Sequence, residues 1–254
     1  NRNHREMTYD PQLRLRAVTE NGAANFETFH YLDASADPTH TRRGQMTGLS
    51  DPSGTLALDS FGMHGQTLEE TRTFKDGKTC TSRRVFSAVG ALLQTTDAGG
   101  HLQQSTYDIA GQLVQVQLQL DGQAFQPVLK GADYNAAGQI TEQRLGNDVT
   151  NRWCYRDTDG RLLRQYAQKA SGQAIQDFGY GYDRVGNTTR IVDHTYTPTY
   201  FRNQRVDGQR TFDHDTTYQL IRATGYSDAP PRDNPGRPQP TDPRDRRNYV
   251  ETYE

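Results

Sequence analysis

The sequence predicts an all-β fold, a continuous antiparallel strip of hairpins, and three observations predict it. A short phrase recurs: an aromatic residue, Asp or Asn, two variable residues, Gly, one residue, then an aliphatic. Tyr107-Asp108 runs to Gly111 and Leu113, Tyr134-Asn135 to Gly138 and Ile140, and Tyr182-Asp183 to Gly186. Between Val114 and Leu120, apolar residues alternate with Gln115, Gln117 and Gln119, the period of two that marks a strand. No long stretch carries helical periodicity; the best helical candidate, 161–171, reads equally well as a strand.

Each phrase has a physical reading. The aromatic suits a pleated, half-buried surface. Asp or Asn opens a turn by accepting backbone amides two residues on, and Gly takes positive φ at its close. An aromatic-to-Gly spacing of four suits a hairpin loop built on a type I turn with a left-handed Gly. In chain order, Tyr9-Asp10 is a loose copy that keeps Leu13 and Leu15 in frame, and Asp51-Pro52-Ser53-Gly54 is a turn of a second kind. Phe61 leads to Gly65, the turn Lys75-Asp76-Gly77 follows, and Phe86 leads to Gly90 and Leu92. Asp97-Ala98-Gly99-Gly100 precedes Tyr107, and Asp121-Gly122 closes the glutamine strand. On that strand the Val and Leu side chains are expected to be covered and the glutamines much more exposed. Tyr155 reaches Gly160 with one extra residue, and His214-Asp215 keeps the frame with Tyr218 in the Gly position and Leu220 after it. Starts at 61, 86, 107, 134, 155, 182 and 214 are 25, 21, 27, 21, 27 and 32 residues apart, the signature of a repeat architecture. Each repeat is then about two strands joined by alternating turn types.

Three regions follow. Residues 1–60 are leading, irregular, YD-like strands; 61–226 are the repeat array; 227–254 are a Pro-rich connector leading into a further strand at Tyr249-Val250. In the connector six prolines, Pro230 to Pro243, interleave with Asp and Arg, which predicts an extended or polyproline-like segment, either ordered against the array or a flexible linker. Both termini read as cuts within a longer protein. The hydrophobic fraction is 32%, about 41% with the 23 glycines, below the roughly 45–50% of ordinary globular domains. A sheet with one wet face accommodates this, and 14 Tyr and 9 Phe argue against disorder. A net charge of −2 without a basic stripe gives no sign of nucleic-acid binding. No 18-residue apolar run suggests a membrane span, and no signal peptide is visible.

No chemistry-bearing constellation emerges. The seven His are scattered, without metal-ligand spacing. Asp193-His194 and Asp213-His214-Asp215 are the places where His adjoins a carboxylate, and both read as solvated or turn-capping residues. There is no Gly-x-Ser-x-Gly elbow and no phosphate-cradling loop. Each Asp-x-x-Gly supplies one carboxylate, short of the six to eight oxygens calcium takes. Cys80 and Cys154 are expected to be free, and Trp153 to be an inward sheet residue, with sugar stacking as the alternative. The expectation is therefore no catalytic residue, no cofactor and no metal. The residues singled out are the structural repeat turns Tyr107, Asp108, Gly111, Tyr134, Asn135, Gly138, Tyr182, Asp183 and Gly186.

The Tyr-Asp-x-x-Gly-x-Leu phrase resembles the YD repeats of RHS-repeat proteins. Longer stretches are more specific: 88–100 (AVGALLQTTDAGG), 107–113 (YDIAGQL), 182–187 (YDRVGN), 200–206 (YFRNQRV) and 218–225 (YQLIRATG). Together they resemble the N-terminal, conserved part of the C component of bacterial insecticidal toxin complexes (Tc toxins), best over 86–226. The resemblance implies that YD repeats wind a strongly curved β-strip into part of a hollow shell wall. A B-component-like protein completes that shell, and the C component's C-terminal toxin is held inside. It also implies a secreted complex made in the bacterial cytoplasm. The family's aspartyl protease, built on two Asp-Pro-x-Gly motifs, would lie beyond residue 254; the lone Asp51-Pro52-Ser53-Gly54 reads as a repeat turn. The function implied is a non-catalytic shell segment. Two alternatives stand beside it: a fragment of a contact-dependent RHS effector or cell-wall-associated RHS protein, and a carbohydrate-binding β-repeat module using surface Tyr and Trp153.

Overall fold

The computed structural model describes residues 4–33, 44–227 and 246–253. All regular structure among them is β, and it falls into two compact units, Asn1–Val128 and Leu129–Glu254. The first holds β1 (Arg5–Tyr9), β2 (Leu15–Glu20), β3 (Ala23–Tyr31), β4 (Met46–Asp51), β5 (Gly54–Phe61), β6 (Thr67–Phe74), β7 (Thr79–Phe86), β8 (Leu92–Thr96), β9 (Leu102–Tyr107) and β10 (Leu113–Gln119). Each pairs antiparallel with the next in sequence. The β5–β6 ladder runs across position 60, from Gly54 opposite Phe74 to Phe61 opposite Thr67, with register shifts between Leu58 and Ser60 and between Ser60 and Phe61.

The second unit begins within β11 (Gln126–Tyr134) and continues through β12 (Ile140–Leu145), β13 (Thr150–Tyr155), β14 (Leu162–Gln168), β15 (Ala174–Tyr182) and β16 (Thr188–Asp193). A small separate hairpin, β17 (Thr199–Phe201) with β18 (Gln204–Val206), is inserted before β19 (Gln209–His214), which pairs with β16. β20 (Leu220–Ser227) and β21 (Arg247–Thr252) complete the ladder. The ambiguous stretch 161–171 is thus strand β14, paired on both sides. Of the proline connector, 228–245 lies outside the described residues.

Because neighbours alternate in direction, the aromatic turns of each unit share one rim and the Asp-Gly-type turns share the other. Each strip is a single antiparallel sheet, and in the second unit the separate β17–β18 hairpin is tied to it where the Asn248 amide donates to the Arg205 carbonyl at 2.9 Å. Among the described residues the buried apolar side chains are Val18, Leu129, Ala132, Ala167, Val206 and Ala223, and the fully buried one is Val206.

The thin core corrects one expectation. On β10, Gln115, Gln117 and Gln119 are half-buried, as are Val114, Val116 and Leu118, while Leu120 beyond the strand end is 47% exposed. In a single sheet, a side chain is shielded chiefly by its cross-strand neighbours, and a long amide shields as well as a valine. Gln94, Gln104 and Gln117 stand directly opposite one another across β8, β9 and β10, and the Gln104 amide donates to Gln94 Oε1 at 3.5 Å.

Candidate functional site: the repeat turns

The aromatic turns share one geometry. In most, the amide of the turn-opening residue donates to the carbonyl four residues on, and the amide of the fourth residue donates back; the Arg156 turn is one residue longer and closes on Arg161, and in the Asp183 turn the Gly186 amide donates to Asp183 Oδ1 instead. For Asp108 these bonds are 2.9 Å to Gln112 and 3.1 Å from Gly111; for Asn135, 2.9 Å to Gln139 and 2.9 Å from Gly138. The opening side chain fills the loop: Asp108 Oδ1 accepts the amides of Ala110 (2.9 Å) and Gln112 (2.8 Å), and Asn135 Oδ1 those of Ala137 and Gln139 (both 3.0 Å). Asp183 Oδ1 accepts three, from Val185, Gly186 and Asn187. The fourth residue is left-handed: Gly111 has φ 80°, Gly138 77° and Gly186 114°. Leu13 (62°) and Tyr218 (66°) hold the same place in the Asp10 and Asp215 turns, at a steric cost glycine avoids. A register shift falls at the aromatic position of these hairpins, including Tyr9, Phe86, Tyr134, Tyr155 and Tyr182. The extra residue bends and twists the strand there.

The tyrosines do more than pack. The phenol of Tyr182 donates to the Leu162 carbonyl at 2.9 Å, Tyr155 to Ile140 at 3.0 Å, Tyr107 to Leu92 at 3.0 Å and Tyr31 to Leu15 at 3.0 Å. Each phenol at the end of one strand thereby ties back to the first residue of the strand before it. Burial raises the pKa of the Tyr155 and Tyr182 phenols, which keeps both protonated as donors. A second set of ties runs forward from turn to turn. Gln139 donates to the Gly160 carbonyl (2.9 Å) and Arg161 to the Asp183 carbonyl (3.0 Å). Arg161 also stacks over the Tyr182 ring at 5.8 Å, and Arg14, in the equivalent place, over Tyr31 at 4.5 Å. Sequence reasoning missed these ties. Their one sequence signal is the interval of 15 to 20 residues between a tyrosine and the strand-opening aliphatic before it.

Several other polar residues are committed to structure. Asp51 Oδ1 accepts the Ser53 and Gly54 amides, and Arg72 clasps both carboxylate oxygens, which with the Ser53 hydroxyl holds Asp51 far below the usual carboxylate range. This Asp-Pro-x-Gly carboxylate is an ionised turn cap. Arg164 binds Asp177 through two bonds (2.7 and 2.6 Å) and lowers its pKa against the effect of burial. In the turns, burial acts to raise the Asp183 pKa, but the Asn187 amide and the backbone donors outweigh it, and Asp183 is held low. Asp193 caps Thr195, Asp213 pairs with Arg222 at 3.0 Å, and Asp215 accepts the Gln219 and Thr217 amides. Cys80 and Cys154 are free thiols, and Trp153 is half-buried opposite Gln165.

No protein-family profile matches the chain. It is 29% identical to toxin subunit YenC2 of Yersinia entomophaga, over 94% of this chain and 29% of that protein. It is 36% identical to toxin subunit YenC1 of the same organism, over 54% of this chain and 15% of that protein. The crystal structure of TcdB2-TccC3 matches at a TM-score of 0.79 and 30% identity, covering 98% of this chain and 14% of that one. The Photorhabdus luminescens Tc holotoxin pore matches at 0.78 and 30%, covering 98% and 13%. The chain thus spans less than a third of the length of each of these proteins. A repeated aromatic turn tied to its predecessor, an all-antiparallel ladder and these likenesses agree: the chain is similar over nearly its whole length to a C-type subunit of bacterial toxin complexes, and its repeats resemble RHS/YD repeats.

Proposed function

We propose that this chain is a non-catalytic segment of a curved RHS shell wall that encloses a toxin polypeptide for delivery by a secreted complex, with a B-component-like protein closing the shell. The structural repeat turns Tyr107, Asp108, Gly111, Tyr134, Asn135, Gly138, Tyr182, Asp183 and Gly186 are its working parts. The carrying observation is that successive hairpins are fastened to one another at the aromatic rim by phenol-to-carbonyl bonds. Such a wall is a single sheet fastened along its aromatic rim, which suits containment. The carboxylates next to His are spent on turn caps and an ion pair, which weighs against general acid–base work.

Electron microscopy and limited proteolysis of the full-length gene product with its B-type partner test the proposal. The expected result is a closed hollow particle in which a C-terminal polypeptide survives protease until the particle is opened. An open assembly with that polypeptide cleaved at once would sink it. Steady turnover of a glycoside or peptide, lost on changing Asp193 or His214, would replace containment with catalysis.

A further inference from the structure

Four ladders stop short of the aromatic rim at one common place. Where β2 pairs β3, β8 pairs β9, β12 pairs β13 and β14 pairs β15, the first paired residue lies two after Leu15, Leu92, Ile140 and Leu162. Its partner lies three before Tyr31, Tyr107, Tyr155 and Tyr182, and the phenol spans the gap that is left. The β6–β7 ladder ends in the same register: Glu69 stands opposite Arg83, two after Thr67 and three before Phe86. Phe86 has no hydroxyl to span the gap. Met63, Leu68, Val85 and Phe86 instead help to line a cavity of about 310 Å³. The matching cavity in the second unit, about 320 Å³, is lined by Tyr155 with Asn135, Gln139 and Arg156. Among the described residues, one side-chain hydrogen bond joins turn 62–66 to turn 87–91: His64 Nε2 donates to the Ala88 carbonyl at 2.9 Å, in an exposed position. The step around 135–161 has two such rim bonds, from Tyr155 and from Gln139. Away from the rim β6 and β7 are held firmly, by Arg83 on Glu69 (2.8 Å), Arg84 on Glu70 (2.9 Å) and Thr71 beside Thr81 (3.1 Å).

We propose that this step is a hinge: turns 62–66 and 87–91 separate and rejoin at the aromatic rim while the strands stay paired from Glu69 to Thr73. A phenol bond is directional and fixes the distance between two strand ends. The apolar contacts of Phe86 are non-directional and tolerate sliding and parting. The exposed imidazole bond competes with water and holds the turns weakly. Backbone that is neither paired nor tied keeps conformational freedom that ordering would remove. The ion pairs and the threonine pair confine that freedom to the rim. The movement is therefore a rotation about an axis along the strands, and it alters the curvature of the strip without unpairing it. The hinge follows from the ladder geometry; on the shell reading, it is where a wall fastened at its phenol rungs adjusts its curvature.

Nitroxide pairs on the turns test this. Turns two strands apart lie about 10 Å from one another, within reach of dipolar coupling between labels. Met63 and Val89 are 80% and 87% exposed, so Met63→Cys with Val89→Cys places labels on the two turns at little cost. Ala137→Cys with Thr158→Cys is the control pair, on turns joined by Tyr155 and Gln139. Both pairs are made in the 254-residue chain carrying Cys80→Ser and Cys154→Ser, which removes its two free thiols. The expected result is a broad distance distribution for 63/89 and a narrow one for 137/158. Phe86→Tyr should narrow the first, lowering the fraction of separated turns roughly fivefold. Tyr155→Phe should broaden the second by a similar factor. Equal breadth of the two pairs in the parent would overturn the proposal. So would a 63/89 distribution unmoved by Phe86→Tyr, or a 137/158 distribution unmoved by Tyr155→Phe. If Phe86→Tyr folds poorly, the parent comparison and Tyr155→Phe still decide. Equal distributions alongside closed particles in the microscope would remove the hinge and leave the shell reading standing; a broad 63/89 pair without closed particles would do the reverse.

Discussion

Tyr182 and Gly186 perform separable tasks within one turn. The phenol of Tyr182 holds the previous strand, so Tyr182→Phe should lower stability by about 1 kcal/mol, read by urea unfolding. Gly111 and Gly186 test the backbone alone and the backbone with a neighbour. A Cβ at Gly111 meets nothing within 4 Å, so Gly111→Ala should cost about 1–2 kcal/mol from its φ of 80°. A Cβ at Gly186 would stand 2.7 Å from Arg161 Nη2, so Gly186→Ala should cost more and break the Arg161 tie to Asp183. Tyr218 is the converse case: 61% exposed with φ 66°, it should be replaced by Gly at a gain of up to about 1 kcal/mol. Asp177 gives a pH test. Its folded-state pKa is depressed by Arg164, so its stabilisation is present above the unfolded carboxylate value of about 3.9 and is lost as pH falls through the lower folded value. The stability gap between the parent and Arg164→Gln should therefore narrow below pH of about 4; a gap constant from neutral to acid pH would contradict this. At this scale the turn glycines are legible, because αL geometry selects residue type locally. The phenol bonds are not, because their acceptors are backbone carbonyls a repeat away and leave no mark on residue choice.

At the scale of elements, alternation in β10 locates the strand but misstates its surroundings. The period of two reports which residues share a face, and both faces here are half-covered by cross-strand neighbours. Stretch 161–171 was ambiguous for the same reason: Leu162, Leu163, Tyr166 and Ala167 fit either period, and pairing with β13 and β15 decides it. The gap between Thr67 and Phe86 could not be read from sequence, since it exists only once the β6–β7 register is fixed. The ladder has graded strength. β14 and β15 are flanked on both sides, whereas β21 is exposed over most of its length. Native-state hydrogen exchange should find the β14–β15 amides far slower than those of β21; comparable rates would contradict the strip.

For the whole molecule, stability rests on stacking of like units, as in other repeat proteins. Removing 156–182 would join Tyr155 to Asp183, deleting β14 and β15 together and preserving strand direction, the turn and the bulge. That variant should keep its β circular dichroism and a cooperative melt. Removing the single strand β14 would reverse every strand after it and should abolish cooperative melting. The phenol bonds carry a last consequence, because each points from a later residue to an earlier one: Tyr31 to Leu15, Tyr107 to Leu92, Tyr155 to Ile140, Tyr182 to Leu162. On a ribosome, each acceptor has already been synthesised when its donor emerges. Every rung can fasten at once, like successive teeth of a zip drawn in the direction of translation, and none waits for the far end of the polypeptide.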